Sequence, residues 1–184
     1  LGSSNFALKA GQMRFHFNKT LDMRPDDGTY YGFEDYSNIS PNAYIGAEFA
    51  VMESKASYVD SVFNVNDKLV FIPIELNLKL VSQFASNLTL GFGAGASYNL
   101  ARVQATGVEP GISSFSVDIS DWLWGGQVFA ELNYAAGSFF MGIEGKYQIT
   151  EKLKDTVSDP TIGPITFEED FTNWRIGGKV GFMF

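Results

Sequence analysis

Charged side chains recur at every second position in several otherwise apolar segments of this 184-residue chain. Alternate side chains of a strand point to one face, so these charges would share one side of a sheet. If that side encloses a narrow interior, the charges must be paired, because an isolated buried ion is very costly. The set, which nearly balances in sign, comprises Arg14, Glu48, Glu75, Lys79, Glu131, Glu144, Lys146, Arg175 and Lys179.

Two kinds of function fit such a set of charges. Rearranging salt bridges would gate an ion path through the interior, whereas fixed salt bridges would form a polar plug that stabilises the fold. We favour the plug, because an interior barely wide enough for side chains leaves no room for a permanent path.

Nucleophilic catalysis has little support in the residue pattern. A serine-type hydrolase needs a histidine beside its nucleophile and a carboxylate that orients the ring. His16 is the only histidine, and the local sequence supplies neither partner. Cysteine is absent, which excludes disulfides, thiolate nucleophiles and thiolate metal sites. We therefore expect no enzymatic activity and no cofactor, and we interpret His16 as a polar residue near a rim.

Carboxylates accumulate in segments predicted as long loops, at about 19–41, 103–120 and 151–171. Oxygen ligands of this kind bind Ca²⁺ or Mg²⁺, and Asp26 and Asp27 are the candidate metal ligands. Asp26 and Asp27 also belong to an ordinary turn sequence, and no calcium-loop spacing is present. Both interpretations stay open. The loop acids are Asp22, Asp26, Asp27, Glu34, Asp35, Glu109, Asp118, Glu151, Asp155, Asp159, Glu168, Glu169 and Asp170.

The segments that carry the alternating charges are predicted to be β-strands, because their apolar residues repeat with period two rather than 3.6. Short turns, predicted at 53–55, 82–87 and 135–138, alternate with the long loops, and an even number of strands closes an antiparallel barrel. We therefore predict one domain over 1–184, an eight-stranded up-and-down barrel. The predicted strands are about 6–18, 42–52, 56–65, 68–81, 88–102, 124–134, 139–149 and 173–184.

Aromatic residues mark both ends of the apolar strand faces. Trp124 and Tyr134 stand ten positions apart, as do Trp174 and Phe184. At about 3.3 Å per residue and a tilt of about 40°, that separation projects to roughly 25 Å, the height of the apolar band of a transmembrane barrel. The predicted residues of the lipid interface are Trp124, Tyr134, Phe139, Tyr147, Trp174 and Phe184.

Composition sets further bounds on function. The formal net charge of −8 argues against a nucleic-acid partner. No stretch reaches the ~20 apolar residues of a membrane helix. A soluble barrel that binds a ligand in an apolar cavity, as lipocalins do, is the alternative, since charged outer faces are normal in such folds. The many glycines opposite the bulky apolar faces favour a narrow interior instead.

The central and final strands resemble a known family. The run 71–80 (FIPIELNLKL), the run 90–98 (LGFGAGASY) and the terminal Phe184, with Phe182 and Val180 before it, resemble small outer-membrane β-barrels of the OmpA/OmpX type. The resemblance implies a monomeric integral protein of a Gram-negative outer membrane. Its partners would be the lipid bilayer, an extracellular partner of the loops, and the outer-membrane assembly machinery, which would read Val180, Phe182 and Phe184.

The resemblance implies a role in envelope stability together with surface contact through the loops. A second hypothesis is transport of small solutes or hydrophobic molecules, as in barrels of the OmpW type. An apolar lining with a lateral opening would favour transport, and an interior crossed by paired charges would favour the first role.

Overall fold

The computed structural model shows a closed antiparallel barrel of eight strands and describes residues 3–16, 27–59, 64–108, 115–159 and 163–184. Around the barrel the strands run β1-β10-β7-β6-β5-β4-β3-β2, while β8 and β9 pair as a separate hairpin. The predicted barrel fold is confirmed. The strands are β1 (Ser4–Phe15), β2 (Asp27–Ser40), β3 (Ala43–Val59), β4 (Asn64–Ala85), β5 (Leu88–Val108), β6 (Phe115–Ala136), β7 (Phe139–Thr150), β8 (Lys152–Asp159), β9 (Gly163–Asp170) and β10 (Asn173–Met183).

Five of the predicted elements were wrong: the strand at 56–65, the turn at 53–55, and the loops at 19–41, 103–120 and 151–171, the last of which contains β8 and β9. The missed β2 and the strand wrongly predicted at 56–65 cancel in the strand count. β2 lies inside the segment predicted as a polar loop, because its alternation runs through tyrosines and acids rather than aliphatic residues. The predicted strand at 56–65 is instead the end of β3 and the start of β4. The predicted turn at 53–55 lies within β3, and the predicted loop at 103–120 is largely the outer ends of β5 and β6.

The orientation of the side chains decides between a membrane barrel and a soluble one. Leu76 and Val128 are 60% and 56% exposed on the outer face, whereas Glu75 and Glu131 are 1% and 2% exposed inside. A soluble binder would show the reverse arrangement, so the lipocalin-like alternative is wrong. Within the described residues, no helix has the length and apolar character needed to cross a membrane.

The two ends of the barrel differ. At one end the strands connect through two-residue turns, at Pro41-Asn42, Ser86-Asn87 and Gly137-Ser138, and Gly137 has a positive φ of 67°. A glycine with positive φ at the first central position suits the tight hairpin between β6 and β7. Short turns mark the periplasmic end of outer-membrane barrels. The chain termini meet at this end, where the backbone nitrogen of Ser4 donates to the carbonyl of Phe184 at 2.9 Å.

At the opposite, outer end four neighbouring strands, β3 to β6, project beyond the others. β4, β5 and β6 have 22, 21 and 22 residues, whereas β1 and β7 have 12 each. β3, with 17 residues, reaches the same outer end, because Val59 pairs with Asn64. A membrane strand needs only about 9–11 residues. Roughly half of each long strand therefore extends past the apolar band and forms an outer sheet.

Candidate functional site: the charged interior of the barrel

The interior of the barrel holds equal numbers of buried acids and bases. Strand alternation brings them there, since each lies on the inward face of its strand and is less than a tenth exposed. Five carboxylates oppose five cations, so the described interior has no formal net charge. The ten residues are Lys9, Glu34, Glu48, Glu75, Lys79, Glu131, Glu144, Lys146, Arg175 and Lys179.

In the half of this network that faces the outer end, Arg175 and Lys146 share two carboxylates. Arg175 hydrogen-bonds Glu75 and lies 3.7 Å from Glu48. The Lys146 ammonium lies 2.6 Å from Glu75 and 2.5 Å from Glu48. Each charge thus meets more than one opposite charge, which is what burial of an ion demands.

The half nearer the periplasmic end continues the same alternation of sign. Lys9 lies 3.2 Å from Glu34, 2.9 Å from Glu48 and 2.6 Å from Glu144. Lys179 pairs with Glu34 at 2.6 Å and also hydrogen-bonds Glu131. The ion pairs therefore form one connected network, whose members come from seven of the eight barrel strands.

Lys79 terminates this network at the periplasmic side. Its ammonium lies 3.1 Å from Glu131 and 3.7 Å from the centroid of the Tyr36 ring, a cation–π geometry.

Glu34, Glu131 and Glu144 bring carboxylate oxygens within 4.8 Å of one another, a grouping that could hold a metal ion. The ammonium groups of Lys9 and Lys179 already bridge these carboxylates. A metal ion would have to displace two lysines, so the cluster fits a salt-bridge network better than a metal centre.

Amide side chains form a neutral polar layer between the ions and the outer end. Gln148 donates to Ser97 at 2.7 Å and to Asn99 at 2.9 Å, and Asn173 donates to Gln148 at 3.1 Å. These hydrogen bonds satisfy buried amides that would otherwise be costly.

An apolar cluster closes the interior above this layer. Phe15, Phe71 and Phe171 pack with ring centroids 5.4–5.8 Å apart, and Met13, Met52, Leu123 and Leu153 surround them. Phe171, between β9 and β10, is fully buried. Sequence reasoning missed this cluster because its members are far apart in the chain.

One of the predicted interior residues, Arg14, does not lie in the interior. Its side chain is exposed and lies 3.2 Å from Asp27 outside the barrel. The odd-numbered residues of β1 point inward, so the charge that β1 contributes is Lys9, which sequence reasoning missed. Glu34 was also missed, because β2 was predicted as a loop. The structure places the other predicted residues in the interior: Glu48, Glu75, Lys79, Glu131, Glu144, Lys146, Arg175 and Lys179.

The predicted interface aromatics all lie on the outer face. Tyr147 and Trp174 stand opposite each other on β7 and β10 towards the outer end, and Phe139 lies towards the periplasmic end. Their contact with lipid head groups stays a prediction. The residues exposed there are Trp124, Tyr134, Phe139, Tyr147, Trp174 and Phe184.

The structure places the candidate metal ligands, one of the predicted loop acids and the single histidine in different surroundings. Asp26, one of the two candidate metal ligands, lies outside the described residues. The other, Asp27, forms an ion pair with Arg14. Asp118, predicted in a loop, lies on β6, where Arg102 donates two hydrogen bonds to it. His16 borders an outer groove of about 450 Å³ beside Lys152 and Asp170.

A closed barrel with an apolar exterior and paired charges inside defines the class of transmembrane β-barrels, because lipid accepts no unpaired strand edge and no exposed ion. No protein-family model matches the sequence, and no curated protein matches it significantly.

Solved structures show which barrels it resembles. Neisserial surface protein A superposes with a TM-score of 0.59 at 13% identity, covering 99% of this chain and 97% of that one. Ail of Yersinia pestis gives 0.51 at 13% identity, covering 98% and 99%. The outer membrane protease OmpT of Escherichia coli gives 0.50 at 10% identity, covering 98% and 96%. The fold is that of the bacterial outer-membrane β-barrels, and the apolar exterior suits insertion into a lipid bilayer.

Proposed function

We propose that this protein is a plugged, monomeric outer-membrane barrel that strengthens the envelope and presents an outer surface for contact with a partner. The observation that supports the plug is the balanced network of ten ions, which crosslinks seven barrel strands through the interior. Breaking one buried pair by removing a single partner typically costs about 3–5 kcal/mol. A network of this kind therefore favours a single rigid arrangement of the strands.

The arrangement of layers supports a plug over a conduit. A path for hydrophobic molecules needs an apolar lining, but the middle of this barrel is crossed by ion pairs. A path for ions needs continuous polar contact, but Phe15, Phe71 and Phe171 close the outer side. Transport of the OmpW type therefore has less support, and we likewise expect no enzymatic activity.

The distribution of charge indicates the kind of surface partner. The interior ions sum to zero, so the whole net charge of −8 belongs to the rest of the chain. The periplasmic turns carry no charged residue. Apart from Asp35 on the outward face of β2, the exposed acids of the described residues lie towards the outer end, in the outer sheet, in the β8–β9 hairpin and next to them. We propose a basic or neutral partner. The heparin analogue sucrose octasulfate, seen in complex with Ail, is a polyanion that this surface would repel.

Planar-bilayer recording and gel mobility test the plug together. The folded protein should give no steady current and should migrate as a compact band until it is heated. Arg175→Ala and Glu131→Ala should each lower the unfolding temperature clearly, whereas the conductance should change little. Large steady currents from the unchanged protein would contradict the plug.

Binding to immobilised polylysine and to sucrose octasulfate tests the surface. We expect salt-sensitive binding to polylysine only. Replacing Glu168, Glu169 and Asp170 by their amides should weaken that binding. Asp35→Asn, exposed on the outward face of β2 and away from the outer end, serves as the control. Preferential binding of the sulfated sugar would overturn the proposed partner class.

A further inference from the structure

At the periplasmic end of the barrel, several buried polar groups surround a small cavity. The cavity has about 20 Å³ open to the centre of a water molecule. About 10–15 Å³ on that measure is enough for one water. Its lining includes Asn5, Lys79, Thr89, Glu131 and Asn133, with half-buried Ala135 and Met183 towards the surface.

Three oxygens in this lining have no hydrogen-bond partner within the described protein. They are Oδ1 of Asn5, Oγ1 of Thr89 and Oδ1 of Asn133, and each residue is at least nine-tenths buried. A buried polar atom without a partner costs about 1–3 kcal/mol. Their shared location on one cavity indicates a common ligand.

Lys79 supplies the complementary donor. It has one carboxylate partner among the described residues, Glu131, whereas Lys9, Lys146 and Lys179 each have at least two. The face of the Tyr36 ring covers another side of its ammonium group. An ammonium has three hydrogens to donate, so a ligand at the cavity can still accept from Lys79.

The ligand must accept from an ammonium and donate to amide and hydroxyl oxygens, within the space of about one molecule of water. A metal cation would be repelled by Lys79, and an anion would be repelled by the two amide oxygens. We propose that the side chains of Asn5, Thr89, Asn133 and Lys79 together bind one water molecule. The water is held at the end of the ion network and is reached only from the periplasm, because the apolar cluster closes the other end.

The absence of cysteine from the chain makes single-cysteine labelling clean. Thr89→Cys places a thiol on the cavity. Ser97→Cys, on the same inward face of β5 but within the amide layer, is the matched control. With a small water-soluble thiol reagent acting on folded protein, Cys at 89 should react at least about tenfold faster than Cys at 97, since access limits the reaction.

The outcomes separate this site from the proposed plug. Slow reaction at both positions would overturn the access from the periplasm and leave the plug intact. Equally fast reaction at both would overturn the one-sided access and the plug together. Water-to-protein magnetisation transfer by NMR at the Asn5 and Asn133 side-chain amides tests the water itself in the unchanged chain, whether or not Thr89→Cys folds. Contact with a long-lived water supports it, and no contact overturns it.

Discussion

Arg175 lies in the middle of the barrel between Glu75 and Glu48, with Gln148 3.4 Å away. Its removal would leave Glu75 with Lys146 as its remaining ion-pair partner among the described residues. A buried charge cannot be rescued by solvent, so the loss of a partner acts on the stability of the whole barrel rather than on one contact.

We predict that Arg175→Met lowers the free energy of unfolding by about 3–5 kcal/mol, as for other broken buried pairs. Arg102→Met is the matched control. Its pair with Asp118 is exposed, and exposed pairs contribute little to stability because solvent screens them. Urea unfolding in detergent micelles measures both. The double variant Glu75→Gln/Arg175→Met should be less destabilised than Arg175→Met alone, because it removes the orphaned charge; equal losses for Arg175→Met and Arg102→Met would contradict the network.

Glycines on the inward face make room for the network. A Cβ at Gly95 would lie 2.1 Å from the Leu76 carbonyl oxygen and 2.2 Å from Asn77 Oδ1, whereas a Cβ at the outward Gly145 would meet nothing within 4 Å. We predict that Gly95→Ala destabilises the barrel by about 1–3 kcal/mol, the usual cost of overpacking. Gly145→Ala, the control, should stay within about 0.5 kcal/mol. Thermal unfolding of both variants in micelles tests this, and a harmless Gly95→Ala would show that the interior is looser than described.

At the scale of elements, Phe171 anchors the β8–β9 hairpin to the barrel. It follows β9 directly, and its ring packs on Phe15 and Phe71. The hairpin is otherwise attached through Leu153, which also lies in the apolar cluster. The closure of the outer mouth and the position of the hairpin therefore depend on the same contact.

We predict that Phe171→Ala lowers stability by about 3–5 kcal/mol, the usual effect of truncating a buried phenylalanine. Amide hydrogen exchange should also accelerate in β8 and β9 more than in β5. Phe84→Ala, exposed near a periplasmic turn, is the control and should change neither. Unchanged exchange in the hairpin would show that Phe171 does not hold it.

The stability of the outer sheet depends on pH through one ion pair, Arg102–Asp118. Hydrogen bonds from the Arg102 guanidinium lower the pKa of Asp118 to about 2, on the part of β6 beyond the apolar band. Since the pKa is depressed in the folded state, the pair stabilises the outer sheet above the unfolded value of about 4. That stabilisation is lost as pH falls from about 4 through about 2.

An NMR titration of the Asp118 carboxyl carbon checks this directly. We expect a midpoint near 2 in the unchanged protein and a midpoint nearer the ordinary value of about 4 in Arg102→Gln. Glu168, whose pKa is lowered by hydrogen bonds from Lys152 and Lys154, is the internal control and should keep its lowered pKa in both proteins. A midpoint near 4 in the unchanged protein would contradict the bidentate pair.

At the scale of the whole molecule, the last strand closes the barrel and carries the predicted assembly signal. β10 pairs with both β1 and β7, and the Phe184 side chain is exposed. We predict that Phe184→Ala reduces the amount of barrel assembled in cells, while refolding of purified protein into micelles is unchanged. Phe139→Ala, also exposed and on β7, is the control. Equal loss in cells and in micelles would mean that Phe184 acts on stability rather than on recognition.

The local sequence determined the barrel class, the face of most strands and most of the interior charges. Period-two alternation reports which side of a strand a residue occupies, and that is a property of neighbouring residues alone. Glu75, Lys79, Glu131 and Lys146 were therefore predicted on the inward face. β2 was not predicted as a strand, because its inward face carries tyrosines and Glu34 rather than aliphatic residues.

Only the tertiary structure decided which charges meet, that Arg14 lies outside and that Phe171 closes the mouth. Lys9 and Glu144 are 135 positions apart, and Lys179 and Glu34 are 145 apart, yet both pairs lie at 2.6 Å. The stagger of neighbouring strands brings such residues to one level, and stagger follows from how the closed sheet satisfies all its hydrogen bonds at once. Local pattern fixes the face of a residue, whereas closure of the barrel fixes its partner.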